Sequence, residues 1–109
     1  MIDVEIPIKP ISVNKAFQGR RFKTADCKSF EEELWYLLPK EKMIKGNVSV
    51  TIEFYLKNHK MTDVSNLVKV FEDIVVKRGY IEDDRKVNEL FLYKYPAKTD
   101  KIHLNITKS

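Results

Sequence analysis

Apolar and polar residues alternate along three segments of the chain, residues 2–9, 48–57 and 102–107, with an apolar side chain at every second position. Because successive side chains of a β-strand point to opposite faces of its sheet, this period predicts half-buried strands of a largely antiparallel sheet. A fourth segment, residues 87–95, is apolar on both faces. We therefore expect this strand at the centre of the sheet or at a subunit contact.

Two further segments carry apolar residues at helical spacing. The first covers residues 26–38, where Thr24 or Asp26 can cap the start and Pro39 stops the run. Its apolar stripe consists of Phe30, Leu34, Leu37 and Leu38. The second begins near Asp63 and ends before a glycine that suits the left-handed turn after a helix. Its apolar stripe consists of Val64, Leu67, Val68, Phe71, Ile74 and Val75.

These segments follow one another in the order β-α-β-α-β-β. Two amphipathic helices on the apolar face of a mixed, mostly antiparallel four-stranded sheet make a two-layer α+β sandwich. The chain of 109 residues shows no repeat, linker or break in composition. We therefore expect a single domain over residues 1–109.

Composition excludes several classes of protein. Hydrophobic residues make up 43% and charged residues 33%, which is ordinary globular usage and argues against disorder. No apolar run approaches the roughly 20 residues that span a bilayer, and the charged N-terminus does not resemble a secretory signal. Because the single cysteine cannot form an internal disulfide, we expect a cytoplasmic protein with no membrane association.

Charge is distributed unevenly within a net charge of +4. Residues 9–28 form a basic arm that contains a single acid, whereas acids gather at residues 82–84. Asp63 alone is most simply a helix cap, and residues 82–84 are most simply a solvated turn. Both acidic positions bracket the second predicted helix, however, and a strand returning beneath that helix could bring their carboxylates together around Mg²⁺. Such a site beside a basic arm is typical of proteins that bind a polyanion.

Residues 62–69 (TDVSNLVK), the Glu-Asp pair at 72–73 and residues 79–87 (GYIEDDRKV) resemble the RusA family of Holliday junction resolvases. That family carries D-x-D-N, a hydrophobic residue, x-K, a helix, a glycine and a terminal D-D before an apolar strand. Residues 10–15 (PISVNK) are similar to its early P-P-S-x-N segment, and residues 94–96 to its K-x-P. The resemblance extends over nearly the whole chain.

The resemblance implies an endonuclease that cuts four-way DNA junctions in recombination and repair, with Mg²⁺ as cofactor and Mn²⁺ as a substitute. It implies that Asp63 and Asp84 are catalytic metal ligands and that Lys69 is the essential lysine. Mg²⁺ would lower the pKa of a bound water and hold phosphate oxygens. Lys69 lies about 9 Å beyond Asp63 along an ideal helix, from where its long side chain can reach back to stabilise developing charge.

The third acid of the family pattern falls on Ser65, which is a departure. A neutral hydroxyl is a weaker metal ligand than a carboxylate. Either Ser65 holds the metal through a water while Asp83 or Glu82 supplies the missing charge, or the site is weakened or specialised. We favour an active enzyme with Asp83 and Ser65 beside the metal.

DNA contacts are expected from the basic arm and from the segments that resemble the family. Cationic side chains of the arm neutralise phosphates and add affinity with little sequence information. The expected DNA-binding residues are Asn14, Lys15, Arg20, Arg21, Lys23, Asn66 and Lys94. His103 falls on the polar face of the last strand, and we assign it no catalytic role.

A homodimer is expected as well, because a four-way junction has two-fold symmetry and two strands must be cut. Aromatic side chains at outward strand positions, namely Tyr55, Phe91, Tyr93 and Tyr95, could line the contact or pack under loops. The competing interpretation is a non-catalytic module that binds structured nucleic acid through a weakened metal site. A metal-free structural subunit is a third. Divalent-metal dependence separates the enzyme from the binding module, and salt dependence separates both from the structural subunit.

Overall fold

In the computed structural model, residues 1–19 and 22–109 are described. The strands are β1 (Ile2–Ile6), β2 (Phe17–Gln18), β3 (Phe22–Lys23), β4 (Val48–Leu56), β5 (Val87–Pro96) and β6 (Lys101–Lys108). The helices are α1 (Val13–Ala16), α2 (Ala25–Leu37) and α3 (Val68–Lys77), and short 3₁₀ turns lie at His59–Met61, Val64–Asn66 and Asp84–Lys86. No helix in this described part of the chain is long and apolar enough to cross a membrane.

Four strands form one mixed sheet in the order β1-β6-β4-β5, and β2 and β3 form a separate small pair. β6 runs antiparallel to both β1 and β4, whereas β5 is parallel to β4. The connection between these parallel strands runs through α3, because parallel neighbours need a crossover. The predicted α+β sandwich is confirmed. Of the two positions expected for the fourth strand, the centre of the sheet is wrong, since β5 lies at its edge. The subunit contact stays a prediction.

Helices cover one face of this sheet. Burial alternates along β4, and its buried side chains belong to one core shared with α2 and α3. Phe54 of β4 and Phe71 of α3 pack edge to face, with ring centroids 6.4 Å apart. Full burial of a side chain of this size stabilises the fold by about 1.5–3 kcal/mol. The core therefore holds α3, which carries Lys69, firmly on the sheet.

Local capping sets the ends of α2. The side-chain oxygen of Thr24 accepts a hydrogen bond from the Cys27 backbone N–H at 3.2 Å, which confirms one of the two predicted caps. The helix stops just before Pro39, as predicted. The buried Tyr80 then donates its hydroxyl to the Pro39 carbonyl at 2.6 Å, which ties the chain after α3 to the end of α2.

The second predicted helix starts later than the apolar stripe suggests. Asp63 caps the 3₁₀ turn Val64–Asn66, and regular α-helix begins only at Val68. Polar residues such as Asp and Ser compete with the helix by bonding nearby backbone groups, which accounts for the irregular first turn. After α3, Gly79 takes the left-handed conformation at φ +89°, as predicted for the end of this helix.

A histidine joins three strands on the outer face of the sheet. His103 of β6 hydrogen-bonds through Nδ1 to Glu53 of β4 at 2.6 Å and through Nε2 to Asp3 of β1 at 2.5 Å. Both hydrogen bonds, that to Glu53 first, raise the pKa of His103 above its ordinary value because they stabilise the imidazolium. The predicted position of His103 on the polar face is confirmed.

The outer face becomes aromatic at the edge strand. Phe91, Tyr93 and Tyr95 share this face of β5, since they pair with the outward residues of β4, and we call them the β5 aromatic row. The rings of Tyr93 and Tyr95 are stacked with centroids 6.1 Å apart, and Tyr55 of β4 lies 5.4 Å from Tyr95. All three members of the row are exposed. This row leaves an apolar strip beside an open strand edge.

Candidate functional site

Asp63, a predicted metal ligand, sits in the loop that follows β4, and Ser65 orients its side chain. One carboxylate oxygen, Oδ1, accepts both the Ser65 backbone N–H at 3.1 Å and the Ser65 hydroxyl at 2.9 Å. Both residues are exposed at the protein surface. The residue that departs from the family pattern therefore supports the Asp63 carboxylate directly in this structure.

Lys94 anchors the same loop from the edge strand. Its ammonium donates to the carbonyl of His59 at 3.0 Å and to the carbonyl of Thr62 at 2.6 Å. The side chain is half-buried, so these charge-assisted bonds are only partly screened by water. Although Lys94 is among the expected DNA-binding residues, its charged group is directed to the loop that precedes Asp63.

Asp84 lies at the start of the 3₁₀ turn that leads into β5. Its neighbour Asp83 caps this turn, accepting the Arg85 backbone N–H at 3.0 Å and the Arg85 guanidinium at 3.1 Å. The Arg85 backbone N–H, together with hydrogen bonds from Asp84 and the Arg85 side chain, holds the pKa of Asp83 well below its usual range. The hydrogen bond with Asp83 raises the pKa of Asp84. The two neighbouring carboxyl groups thus have pKa values shifted in opposite directions, that of Asp83 downward and that of Asp84 upward.

Glu82, the other acid considered as a source of charge near the metal, is directed elsewhere. Its carboxylate accepts the backbone N–H of Gly46 at 2.5 Å, in the segment that leads into β4. Ile81 next to it forms an isolated parallel bridge with Ile44. Glu82 therefore fastens the acidic segment to the body of the protein, and of the two candidate acids Asp83 is the one next to Asp84.

Glu72 belongs to the same acidic region, although its place in the sequence predicts no role for it. It lies on α3 and is half-buried against apolar side chains such as Ile52 and Ile81. Burial raises the pKa of Glu72 first, and the nearby carboxylates of Asp84 and Asp73 raise it further. The sequence signal was weak, because Glu72 sits at the border of the apolar stripe, where a solvated glutamate is usual.

Lys69 is exposed on the first turn of α3, close enough to Glu72 to lower the pKa of its carboxyl group. Asp84 also acts on the pKa of Glu72, so Lys69 and Asp84 both lie near this residue. Among the described residues, Lys69 forms no ion pair with Asp63, Asp83 or Asp84.

The carboxylates of Asp63 and Asp84 are of the ligand type that Mg²⁺ prefers. Within residues 1–19 and 22–109, no three His, Cys, Asp or Glu side chains come together as a ready-made metal cluster. Mg²⁺ in nucleic-acid enzymes is commonly held by one or two carboxylates, with waters and substrate phosphates completing its shell. The hard oxygen donors of Asp63 and Asp84 fit that requirement, and Asp83 and Ser65 lie next to them in the chain.

An open cleft of about 640 Å³ lies at the end of the sheet where β4 stops. It brings Asn14, Lys15, Asn66 and Asp63 together, and three of these are expected DNA contacts. Lys69 and Asp84 do not belong to its lining among the described residues. The cleft thus joins the early PISVNK segment to the loop that carries Asp63, two segments that are 50 residues apart in the chain.

The remaining expected DNA contacts lie on the basic arm. Lys23 pairs with Glu31 of α2 at 2.8 Å, and this hydrogen bond is the largest cause of the raised pKa of the Lys23 ammonium. Arg20 and Arg21 lie outside the described residues. Lys23 is therefore attached to α2, and α2 also supplies one wall of the cleft.

No curated protein matches the chain. The family model described as Endodeoxyribonuclease RusA matches residues 7–107. This match covers the cleft, the Asp63 loop, α3 and the acidic segment before β5. The chain therefore belongs to the RusA family of endodeoxyribonucleases, which resolve Holliday junctions.

Proposed function

We propose that this protein is a divalent-metal-dependent endonuclease that resolves four-way DNA junctions by paired symmetric nicks. The observation that carries the proposal is family membership combined with an Asp63 carboxylate held in place by Ser65 and supported through Lys94. An acidic group that is held by hydrogen bonds in the lining of a cleft suits a reaction in which a phosphate must be positioned accurately.

In this proposal Asp63 and Asp84 would hold Mg²⁺, with Mn²⁺ as a substitute, and Asp83 and Ser65 would lie beside them. When bound, the ion would supply Lewis-acid stabilisation of the phosphate and a bound water of lowered pKa. Lys69 places its positive charge where negative charge develops on the phosphate oxygens or the leaving group. Ser65 keeps one oxygen of Asp63 occupied, so that the other oxygen is presented in one direction.

DNA binding in this proposal uses different groups for phosphates and for the rest of the strand. Lys15, Lys23, Arg20 and Arg21 neutralise phosphates along the arm, which gives affinity that falls with salt. Asn14 and Asn66 contact the strand inside the cleft. We assign Lys94 to positioning the Asp63 loop, because its ammonium already donates to two carbonyls there. We place the protein, a single domain over residues 1–109, in the cytoplasm with the DNA on which its family acts.

We further propose a homodimer formed through the β5 edge and the β5 aromatic row. β4 pairs with one side of β5, and among the described residues its other side has no neighbouring strand. Long open edges with exposed apolar side chains favour pairing with another strand. Two copies joined antiparallel at β5 would be related by a two-fold axis, which matches the symmetry of the junction.

The dimer is tested by sedimentation of the parent and of Tyr93→Glu at micromolar concentration. The parent should behave as a particle of twice 12.9 kDa, and the variant should shift to monomer because a charge enters the contact. Tyr36→Glu is the matched control, since Tyr36 is 90% exposed on α2, away from β5. A parent that stays monomeric while producing paired nicks would contradict the preformed dimer.

The enzymatic proposal is tested with a synthetic four-way junction, resolved by strand on a denaturing gel with Mg²⁺, with Mn²⁺ and with EDTA. Asp63→Asn and Asp84→Asn should each lower the cutting rate more than about a hundredfold, because each removes a ligand. Both should bind the junction as well as the parent or more tightly, since each removes a negative charge near phosphate. Glu32→Gln is the charge control, because Glu32 is exposed on α2.

The same experiment separates the competing function. A module that only binds would hold the junction equally well in EDTA and never cut it. If either aspartate variant cuts at the parent rate, that residue is not a ligand. If the parent itself never cuts, the protein is not the nuclease proposed here.

A further inference from the structure

The cleft at the end of β4 has three walls of different chemistry. One wall is the segment 9–15, the second is one face of α2, and the third is the loop that carries Asp63. Its volume of about 640 Å³ lies in the range of sites that enclose a small organic ring system. A single Mg²⁺ ion would leave most of this space empty, so the cleft has room for part of the substrate as well.

The charge of the lining disfavours a phosphate group inside the cleft. Its charged residues are Lys9, Lys15, Asp26, Glu33, Asp63 and Asp100. Two cations therefore face four carboxylates, and a phosphate without a bound cation would be repelled overall. A neutral ligand that offers hydrogen-bond donors is the better match, since ionised carboxylates only accept hydrogen bonds.

The uncharged groups point to a planar heterocycle. Asn14, Asn58 and Asn66 line the cleft, and each amide offers both donors and an acceptor, as side chains that contact base edges do. The apolar part of the lining comes from the buried Pro10 and Phe30 and from the exposed side chain of Met61, against which a ring can pack. Amides, carboxylates and apolar surface in one space are the combination with which proteins hold a base that has left the stack.

We propose that this cleft binds one nucleobase, unstacked at the branch point of the junction and bearing an exocyclic amino group. The inference rests on the proposed function, because it takes junction DNA as the ligand. Glu33 of α2, which lines the cleft, accepts a hydrogen bond from the amino group. Adenine, cytosine and guanine carry such a group and thymine does not.

The position of Asp63 gives this base a role in choosing the cleavage site. Asp63 belongs to the cleft lining and is also the proposed metal ligand. A base held in the cleft therefore sets which phosphate of its strand lies next to the metal ligand. Bases at a branch point have lost part of their stacking, so extruding one there costs less than in continuous duplex.

The test measures binding without divalent metal, using junctions that carry a single abasic site at each position near the branch point in turn. At one position in each of two symmetry-related strands, the abasic site should weaken parent binding by about tenfold, which is the scale of one stacked and hydrogen-bonded base. Thymine at that position should also bind more weakly than cytosine or adenine. Elsewhere the abasic site should have little effect.

Two variants and one control variant tie this pattern to the cleft. Ser29→Trp fills the space from α2 and should remove the position dependence, while Ala25→Trp, exposed on the same helix outside the cleft, should keep it. Glu33→Gln keeps the shape of the side chain and should reduce the discrimination against thymine. Circular dichroism of each variant shows that the fold is intact.

Two results would overturn the inference. One is an abasic scan with equal losses at every position, which indicates contacts to phosphate and sugar only. The other is a position dependence that survives Ser29→Trp in a folded protein, which puts the base elsewhere. Because no cutting is measured, a chain that binds in this pattern but never cleaves would contradict the proposed nuclease alone. A chain that cuts without any base dependence would contradict this inference alone.

Discussion

Replacing Lys94 by methionine removes the ammonium that holds the Asp63 loop while keeping most of the side-chain length. Two charge-assisted hydrogen bonds are lost, to the carbonyls of His59 and Thr62. Bonds to charged groups contribute about 1.5–3 kcal/mol each, but two bonds from one half-exposed ammonium are not additive. We therefore expect a loss of about 2 kcal/mol in the free energy of unfolding, or roughly 10 °C in Tm.

The functional consequence distinguishes positioning from DNA contact. If Lys94 positions the loop, Lys94→Met should lower kcat for junction cutting, because the Asp63 carboxylate is less well placed. Its binding should keep the parent dependence on salt. A lysine that neutralises a phosphate would instead reduce the slope of log K against log salt by about 0.9 when it is removed.

Denaturant unfolding followed by circular dichroism gives the stability change, and junction binding at several salt concentrations gives the slope. Lys98→Met is the matched control, since Lys98 is an exposed lysine in the turn that follows β5. The control should match the parent in stability and cutting rate. Unchanged stability together with a reduced salt slope in Lys94→Met would refute the positioning role.

Two further predictions concern single contacts. His103→Gln should cost about 1 kcal/mol of stability at pH 6 and less at higher pH. The pKa of His103 is raised in the folded protein, so its contribution to stability is fully present below the unfolded pKa of about 6.5 and is lost as pH rises through the folded value. Urea titrations of parent and variant from pH 5.5 to about 9 measure the difference in their free energies of unfolding. A difference that stays constant over this pH range would contradict the prediction. Ser65→Ala should lower the cutting rate about two- to tenfold, as expected for one hydrogen bond to Asp63, with unchanged unfolding. Ser65→Thr should retain the parent rate, and failure of this rescue would mean that the hydroxyl does not orient Asp63.

The sequence predicts the local structure well because local structure follows from local periodicity. The strict alternation of β4 and β6 and the caps at Thr24 and Gly79 are properties of neighbouring residues, and each is confirmed. The edge position of β5 was not predictable in this way. An apolar run on both faces is equally typical of a buried central strand and of an edge strand with exposed apolar side chains.

The candidate site likewise contains residues that a local motif identifies and contacts that only the complete fold determines. Asp63 and Asp84 were singled out from their motif, and the capping role of Asp63 followed from its type and position. The hydrogen bonds of Lys94 to a loop more than 30 residues earlier depend on the register of β5 against β4, which no local pattern encodes. The burial of Glu72 likewise depends on what α3 packs against.

The crossover between the two parallel strands has a consequence for when the protein becomes able to act on DNA. Asp63 and Asp84 both lie on residues 57–86, the stretch that leaves β4 and returns to β5. Pairing strands that are this far apart in the chain requires closing a long loop, which is entropically costly and slow compared with forming helices or hairpins. A partly folded chain that has its helices but lacks the β4–β5 pairing would not have Lys94 in place against the loop that carries Asp63. Nuclease activity should therefore appear only with complete folding, so that unfinished chains leave DNA intact.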